Sequence, residues 1–460
     1  MLKEVGKADG NLARRILQCL TVASRPLLVK ELAEILALDF EDADRGIPKF
    51  NEDWRSQDRQ QALLIICSSL ITIVNQGGSS IIQFSHFSVK EFLTSDRLAT
   101  PVREISNFHI LPEPAHAIFA QACLAVLLCL HDSHSKKQKI RKSFPLADYV
   151  AQHWVDHAQF GKVSLRVEDA IQRIFDQSQP YFTAWLKMHD IDLWHPMTMQ
   201  PPATPLYYAS LCGFRGLAEN LVVKNPQHVN ARGGRHHSPL AAALRNRHFH
   251  VAELLHQQGA NLELASHNNR TLLVEGQVDA VQWLIEHGAI VNPQQNNGGT
   301  SSQEVFGMAG KHSQMVNATT AQDQGGSPLH LASAYNHFKT MQLLIQHGAD
   351  VNARDNGNST PLHLASRWGG VESVQLLVQH GADVNARDED DSTPLHLVFK
   401  VSAETICSFT WHKLMQPHRT ARVPTDLTSC GMPEPKLRRY WSAMGRISTH
   451  RTQTTRRHYI

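Results

Sequence analysis

The sequence predicts a mainly α-helical chain: a solenoid of short helix pairs joined by hairpin loops, preceded by a small α+β domain and a helical linker. Three observations predict it. Two near-identical blocks open at Ser327 and Thr360 and a third restarts at Thr393, a spacing of 33 both times. Two related blocks open at Thr204 and Ser238, 34 apart. In the first hundred residues, helical periodicity gives way to β-branched alternation around a Gly-Gly turn. A chain of 460 residues has room for about three folded units, each with its own core. The boundaries read 1–105 for the α+β domain, 106–200 for the linker, 201–400 for the repeats and 401–460 for a basic tail.

From Asn11, LARRILQCLTVASRPLLVKELAEILAL gives two amphipathic helices broken at Arg25-Pro26, because proline disfavours helical backbone at the residue before it. ALLIICSSLITIVNQ is a helix end running into a strand, and Gly77-Gly78 turns the chain into IIQFSHFSVKEFL. Two helices and a hairpin followed by a helix suit a winged-helix-like domain over residues 10–100, or another small α+β domain. The apolar stretches Ala62–Val74 and Ala117–Leu130 fall short of the roughly 20 residues that cross a bilayer, so they read as buried helices or strands.

In the repeats, Ser or Thr before Pro is an N-cap with proline at the first helical position, where a missing N–H costs nothing. Leu362, Leu364 and Ala365 bury one side of a short helix, Gly369-Gly370 stops it, and Val374, Leu376 and Leu377 begin a second apolar side. Each unit ends in His-Gly-Ala, which puts Gly381 at a left-handed C-cap and His380 at the negative end of the helix dipole. One such unit cannot enclose its apolar faces and must stack on neighbours. These blocks resemble ankyrin repeats over roughly residues 200–400. Two units, about 270–320, look degenerate. The block at Thr271 reaches Gly288 about one helical turn early, so a frayed first helix is expected. Residues 293–326, rich in Gln, Asn, Gly and Ser, read either as a linker or, at 300–320, as a decayed repeat.

SRPLLVKELAEILAL, ICSSLITIV and IQFSHFSVKEFLTSDRL resemble the winged-helix region that follows the nucleotidase in fungal NACHT-ankyrin, NLR-like (STAND-type) proteins. FHILPEPAHAIFAQACLAVLL and PLADYVAQHWVDHAQF are similar to the helical segment joining that region to ankyrin repeats. The resemblance implies the ligand-sensing part of a signalling receptor, with an innate-immunity-like role. It also implies a P-loop nucleotidase, and here the sequence departs: GxxxxGK followed by Ser or Thr is absent, and Gly310-Lys311 is followed by His312. The chain therefore reads as a sensor half encoded alone, a truncated copy or an incomplete gene product.

Charge and chemistry narrow the function. Lys plus Arg number 45 against 42 Asp plus Glu, too even a balance for the surface to be held on nucleic acid by charge. Residues 401–460 hold ten Lys or Arg against three Asp or Glu, and read as a disordered extension or as a tail for acidic partners. The run SKKQKIRK (135–142) reads as a charged loop between helices or as a nuclear import signal. Seven scattered cysteines without a CxxC pair suggest a reducing, intracellular setting, cytoplasmic rather than nuclear. No metal, cofactor or catalytic residue is expected, since there is no GxSxG elbow, no HExxH and no nucleophile signature. His330, His363 and His396 recur in PLHL, and His287, His347 and His380 recur before Gly-Ala, which points to capping and inter-repeat hydrogen bonds. A winged helix can also bind DNA, but the candidate recognition segment LVKELAEILALDFEDADRG carries more acid than base.

What remains is a non-enzymatic interaction protein whose partner is another protein, with no membrane and no nucleic acid. The resemblance to ankyrin stacks places partner specificity at variable positions of the concave face. Carried onto this chain, these are Ala334 and Tyr335, then Asn356, Ser359, Arg367 and Trp368, then Glu389, Asp390 and Ser392. Trp368 and Arg367 lead, because Trp, Tyr and Arg most often anchor interfaces; a Trp368 that only covers the neighbouring repeat is the competing expectation. The alternatives are a fragment of a nucleotide-regulated switch whose nucleotidase is missing or separately encoded, and a winged-helix DNA-binding regulator.

Overall fold

A computed structural model describes residues 2–44, 46–51, 70–98, 106–130, 137–192, 203–262, 272–273, 275–292, 326–368 and 370–398. Two compact units form: Met1–Pro196 with Tyr208–Pro226, and Met197–Tyr207 with Gln227–Ile460.

The first unit opens with α1 (Leu2–Val22), which buries Ala13, Ile16, Leu17 and Cys19. The helix ends before Ser24-Arg25-Pro26, as proline requires. β1 (Leu27–Leu28) and α2 (Val29–Leu36) follow. β2 (Leu38–Asp44) and β3 (Ile47–Phe50) make a hairpin whose turn holds Gly46 at φ +77. This corrects the reading of LDFEDADRG as part of a helical segment. β4 (Ile71–Gln76) and β5 (Ser79–Phe84) form a second hairpin, in which Gly77 and Gly78 both take positive φ, as a type I′ turn demands. The sheet order is β1-β5-β4, antiparallel, with Leu27 opposite Ile82 and Ile71 opposite Phe84. α3 (Phe87–Thr94) closes the domain, its N-cap His86 accepting the Ser88 N–H at 3.2 Å. Helix, strand, helix and a hairpin wing on one three-stranded sheet is a winged-helix order.

α4 (Pro112–Leu127) is the centre of this unit. Its apolar residues go almost all the way round, and Phe119, Ala120, Cys123, Leu124 and Val126 are fully buried. Such a helix must be enclosed. It packs against α1, β3 and α6 (Ala147–Gln159), and each buried Leu or Phe contributes roughly 1.5–3 kcal/mol. The basic run forms α5 (Lys137–Ser143) rather than a loop, with Arg141 paired to Asp148 at 2.8 Å. α7 (Val163–Arg166), α8 (Glu168–Ile174) and α9 (Tyr181–Met188) complete the segment. An aromatic cluster ties it together: Trp154 meets Trp185 edge-on at 5.3 Å and stacks on Phe214 at 5.4 Å.

The helix pairs of the repeats are α10 (Pro205–Leu211) with α11 (Arg215–Lys224), α12 (Pro239–Arg245) with α13 (Phe249–Gln257), α15 (Pro328–Ala334) with α16 (Phe338–Gln346), and α17 (Pro361–Arg367) with α18 (Val371–Gln379). The unit boundary falls within α10, and α11 packs on α8 inside the first unit. In the block at Thr271, Leu272 and Leu273 are helical and fully buried, Gly276 turns the chain at φ +66, and α14 (Val278–Glu286) follows. Residues 394–398 form a last helical turn.

The caps follow the sequence. Ser238 accepts the Ala241 N–H at 3.1 Å. At Thr360, the backbone N–H and the hydroxyl both reach Nδ1 of His363, at 3.1 and 2.9 Å, while its Nε2 reaches the Ser392 carbonyl of the next repeat at 3.1 Å. Ser327 and His330 repeat this arrangement, with Ser359 as the carbonyl. The histidines before Gly-Ala each turn Nδ1 back to the carbonyl four residues earlier: His287 to Trp283, His347 to Leu343 and His380 to Leu376. Gly288, Gly348 and Gly381 after them have φ between +82 and +95.

Asparagines bracket neighbouring repeats. The side-chain N–H₂ of Asn352 donates to the Gly381 carbonyl, 29 positions on, and its Oδ1 accepts the Asp383 N–H. Asn230 does the same with Gly259 and Asn261. Asn292 does so with Gly348 and Asp350, but across 56 positions. The proposed decayed repeat at 300–320 lies outside the described residues. The described blocks flanking it are direct neighbours: α14 packs on α16, and a Cβ on Gly276 would meet His337 Nδ1 at 2.6 Å.

Candidate functional site

In the last two hairpins that join one repeat to the next, one aspartate organises the backbone. Asp355 Oδ1 accepts the N–H groups of Gly357 and Ser359 at 3.0 and 2.8 Å, and Asn358 takes φ +56 to close the turn. Asp388 Oδ1 accepts from Asp390 and Ser392 at 3.1 and 2.8 Å, with Asp391 at φ +59. Adjacent hairpins are tied: Glu389 N–H donates to the Gly357 carbonyl at 3.0 Å, and Arg354 Nη1 donates to the carbonyls of Asn358 and Arg387. Asp355 is only 3 % exposed, and burial pushes its carboxyl above the ordinary range. Arg354, Asp355, Arg387 and Asp388 were not singled out from the sequence. The signal was there, since Arg-Asp followed four residues later by Ser recurs at a spacing of 33.

The residues named from the sequence fall into three settings. Asn356, Glu389 and Asp390 are exposed at the hairpin tips, where Asp390 gives its N–H to Asp388 and Glu389 gives its N–H to the Gly357 carbonyl of the preceding hairpin. Ser359 and Ser392 are half-buried at the hairpin ends, where each backbone gives its N–H to an aspartate and its carbonyl to a histidine. Ala334, Tyr335, Arg367 and Trp368 come together at the ends of α15 and α17. Ala334 is buried against Leu364, and Tyr335 and Trp368 pack over that pair, half-exposed. The Arg367 guanidinium sits 5.7 Å from the Trp368 ring centroid, and Tyr335 stacks with His337 at 6.1 Å. Trp368 thus reaches across to the preceding repeat and leaves part of its ring outward, beside Arg367. Its Nε1 is buried without a hydrogen-bond partner among the described residues.

Chemistry elsewhere is quiet. Among the described residues, no group of three His, Cys, Asp or Glu is placed to hold a metal ion. Burial pushes Cys19 up to about 12 and raises Cys123 and Cys212, which keeps these thiols protonated. No helix among the described residues is long and apolar enough to cross a membrane. The acid content of α2 has a different meaning from the one read in the sequence. Glu31 is buried, bound by Arg25 at 2.7 and 2.9 Å and by the Leu28 N–H, and Glu34 is buried on the Leu146 N–H at 2.6 Å. These carboxylates face the interior and do not present an acidic surface.

Residues 307–388 match the family described as Ankyrin repeats (3 copies), and residues 2–104 match the family described as GPI inositol-deacylase, winged helix domain. The chain is similar to Azaphilone pigments biosynthesis cluster protein L of Monascus ruber, 30% identical over 270 residues, which are 54% of this chain and 55% of that protein. It therefore spans about half the length of the curated relative it matches.

Proposed function

We propose that this chain is a non-enzymatic protein-interaction module of the cytoplasm, whose last repeats recognise another protein through the hairpin tips and the Tyr335–Trp368 patch. One observation supports it above the others: Asp355 and Asp388 organise the backbone of the two hairpins on which Asn356, Glu389 and Asp390 stand exposed. A hairpin backbone already ordered before binding loses little entropy on binding, and a partly exposed Trp beside an Arg is the composition of an interface anchor. The resemblance to fungal NACHT-ankyrin proteins gives the module its role, the ligand-sensing part of an NLR-like signalling protein.

The test is site-specific photo-crosslinking in the full chain. A crosslinker at Asn356 or Glu389 should capture one partner repeatedly, one at Gln375 on the outer helix α18 should not, and Trp368→Ala should weaken capture with unchanged circular dichroism. Equal capture from Gln375, or undiminished capture by Trp368→Ala, contradicts the assigned face.

The winged-helix match at residues 2–104 favours a second reading, in which the chain is one part of a nucleotide-regulated switch and the P-loop is supplied by another polypeptide. A P-loop protein whose nucleotide hydrolysis changes when this chain is added would support it; unchanged hydrolysis would remove that pairing.

A further inference from the structure

Between the end of α1 and the α4–α6 pair, four groups from three segments form one hydrogen-bonded line. Ser24, just past α1, donates its N–H to Tyr149 Oη on α6 at 3.0 Å. Tyr149 Oη lies 2.9 Å from His157 Nε2, one helical face further along α6. His157 Nδ1 lies 2.9 Å from Nδ1 of His116 on α4. Tyr149 and His157 are fully buried. Phe119 stacks on Tyr149 at 5.0 Å and lies against His157 at 4.4 Å. His116 is half-buried and stacks on Phe160 at 3.9 Å, so it is the end of the line that solvent reaches.

One direction of donation places every proton, with the Ser24 N–H alone at the Tyr149 end. A single hydrogen fits between the two Nδ1 atoms. If His157 donates it, His157 Nε2 is left as an acceptor, the Tyr149 hydroxyl donates to it, and Tyr149 Oη accepts from Ser24. The opposite direction aims two donors at Tyr149 Oη and turns its hydroxyl hydrogen toward the Ser24 hydroxyl, which also reaches Tyr149.

We propose that this line is a proton-sensitive latch between the end of α1 and the α4–α6 pair, closed when both imidazoles are neutral and released when His116 takes a proton from solvent at Nδ1. With that proton in place, two N–H groups face each other across 2.9 Å. Relief requires either that His116 leave Phe160 or that His157 move its hydrogen to Nε2 and evict the Tyr149 hydroxyl, which then crowds the Ser24 end of the line with a second donor at Tyr149 Oη. When pH rises, the proton returns to solvent and the line re-forms.

The surrounding charges agree. On α6, Asp156 favours a charge on His116, but its carboxylate is exposed and shared with His153 at 3.3 Å. His153 also opposes charge on His157. From the α1 side, the Arg25 guanidinium lies 4.9 Å over the Tyr149 ring, itself bound by Glu31 and near Asp148. Cys19 on α1 and Cys123 on α4 stay neutral thiols. Glu113 on α4 is taken by Arg166 at 3.5 Å. Burial holds His157 down to about 3 and lowers His116. A histidine kept neutral by the fold takes up its proton on opening, so opening becomes easier as pH falls below about 6.5, by up to tenfold per pH unit for each such ring.

Hydrogen-exchange mass spectrometry on the full chain tests this, read from peptides covering 18–28 and 145–160 at pH 7.5 and 5.0 and corrected for intrinsic exchange. The opening constant should rise at least tenfold at pH 5.0. His116→Asn keeps an acceptor oxygen near the Nδ1 position without titrating, and should cut that rise at least threefold. Should that variant lose its circular dichroism, Tyr149→Phe carries the test: it breaks the line at one bond, raising opening at pH 7.5 and shrinking the rise. A wild-type opening constant that does not change with pH overturns the latch, as does an equal rise in the wild type and in the folded variant.

Discussion

Asn292 and Asp350 are hydrogen-bonded neighbours in the stack although 58 positions separate them, whereas the equivalent Asn352 and Asp383 stand 31 apart. The difference, 27 residues, is extra chain between Asn292 and Ser327, and the repeats on either side keep the ordinary bracket around it.

Deleting residues 297–323 restores the regular spacing. Loop closure then costs less, by about 1 kcal/mol for a connection shortened roughly fourfold. The expected outcome is a melting temperature equal to or above that of the parent, with one cooperative transition for the repeats. A lower melting temperature or a split transition would show that the removed chain is a layer of the stack.

The stack should weaken in acid. Nδ1 of His330 and of His363 accepts from the cap residue, so both rings are neutral, and burial holds His330 down to about 4 and lowers His363. The unfolded rings titrate near 6.5, so the unfolded chain binds the extra protons below that pH. This share of stability is complete above about 6.5 and is lost as pH falls toward 4, at up to about 1.4 kcal/mol per pH unit per histidine. Urea unfolding between pH 7.5 and 4.5 should show this slope, and His330→Ala with His363→Ala should flatten it while lowering stability at pH 7.5.

Leu376 is buried where α18 faces its repeat core. Leu376→Ala removes contacts that neighbouring helices cannot refill, for a loss of about 2–5 kcal/mol in chemical denaturation. An unchanged unfolding curve would contradict the packing of α18.

Arg247 ends its helix at φ +60, where Asn336 serves in a later repeat. A side chain there costs about 1–2 kcal/mol, and the ion pair to Asp279 at 2.6 Å is too exposed to offset much of it. Arg247→Gly should leave the melting temperature unchanged or slightly raised, and Arg247→Val, β-branched at positive φ, should lower it clearly. A drop with glycine as large as with valine would mean that the side chain matters more than the backbone.

The repeats were legible because their signals are local: Thr-Pro caps, His-Gly turns and apolar spacing act within one turn of the chain. The β2–β3 hairpin was missed because its hydrophobic alternation is short and its Asp-rich turn resembles a solvated helix end. Which carboxylates lie inside was illegible, since Glu34 meets its partner, Leu146, 112 positions away, and Ser24 meets Tyr149 across 125. The proposed interaction face was half legible. Composition singled out Trp368, but only the packed structure shows that Ala334 lies beneath it and that Asp355 and Asp388 shape the tips.

Each asparagine clasp works because one amide both gives and receives. Spelling that position with aspartate would turn the giving half into a second oxygen aimed at a glycine carbonyl, converting a seam that closes into one that pushes apart. Drift at a single codon therefore loosens one seam of the row while every helix on either side of it remains sound.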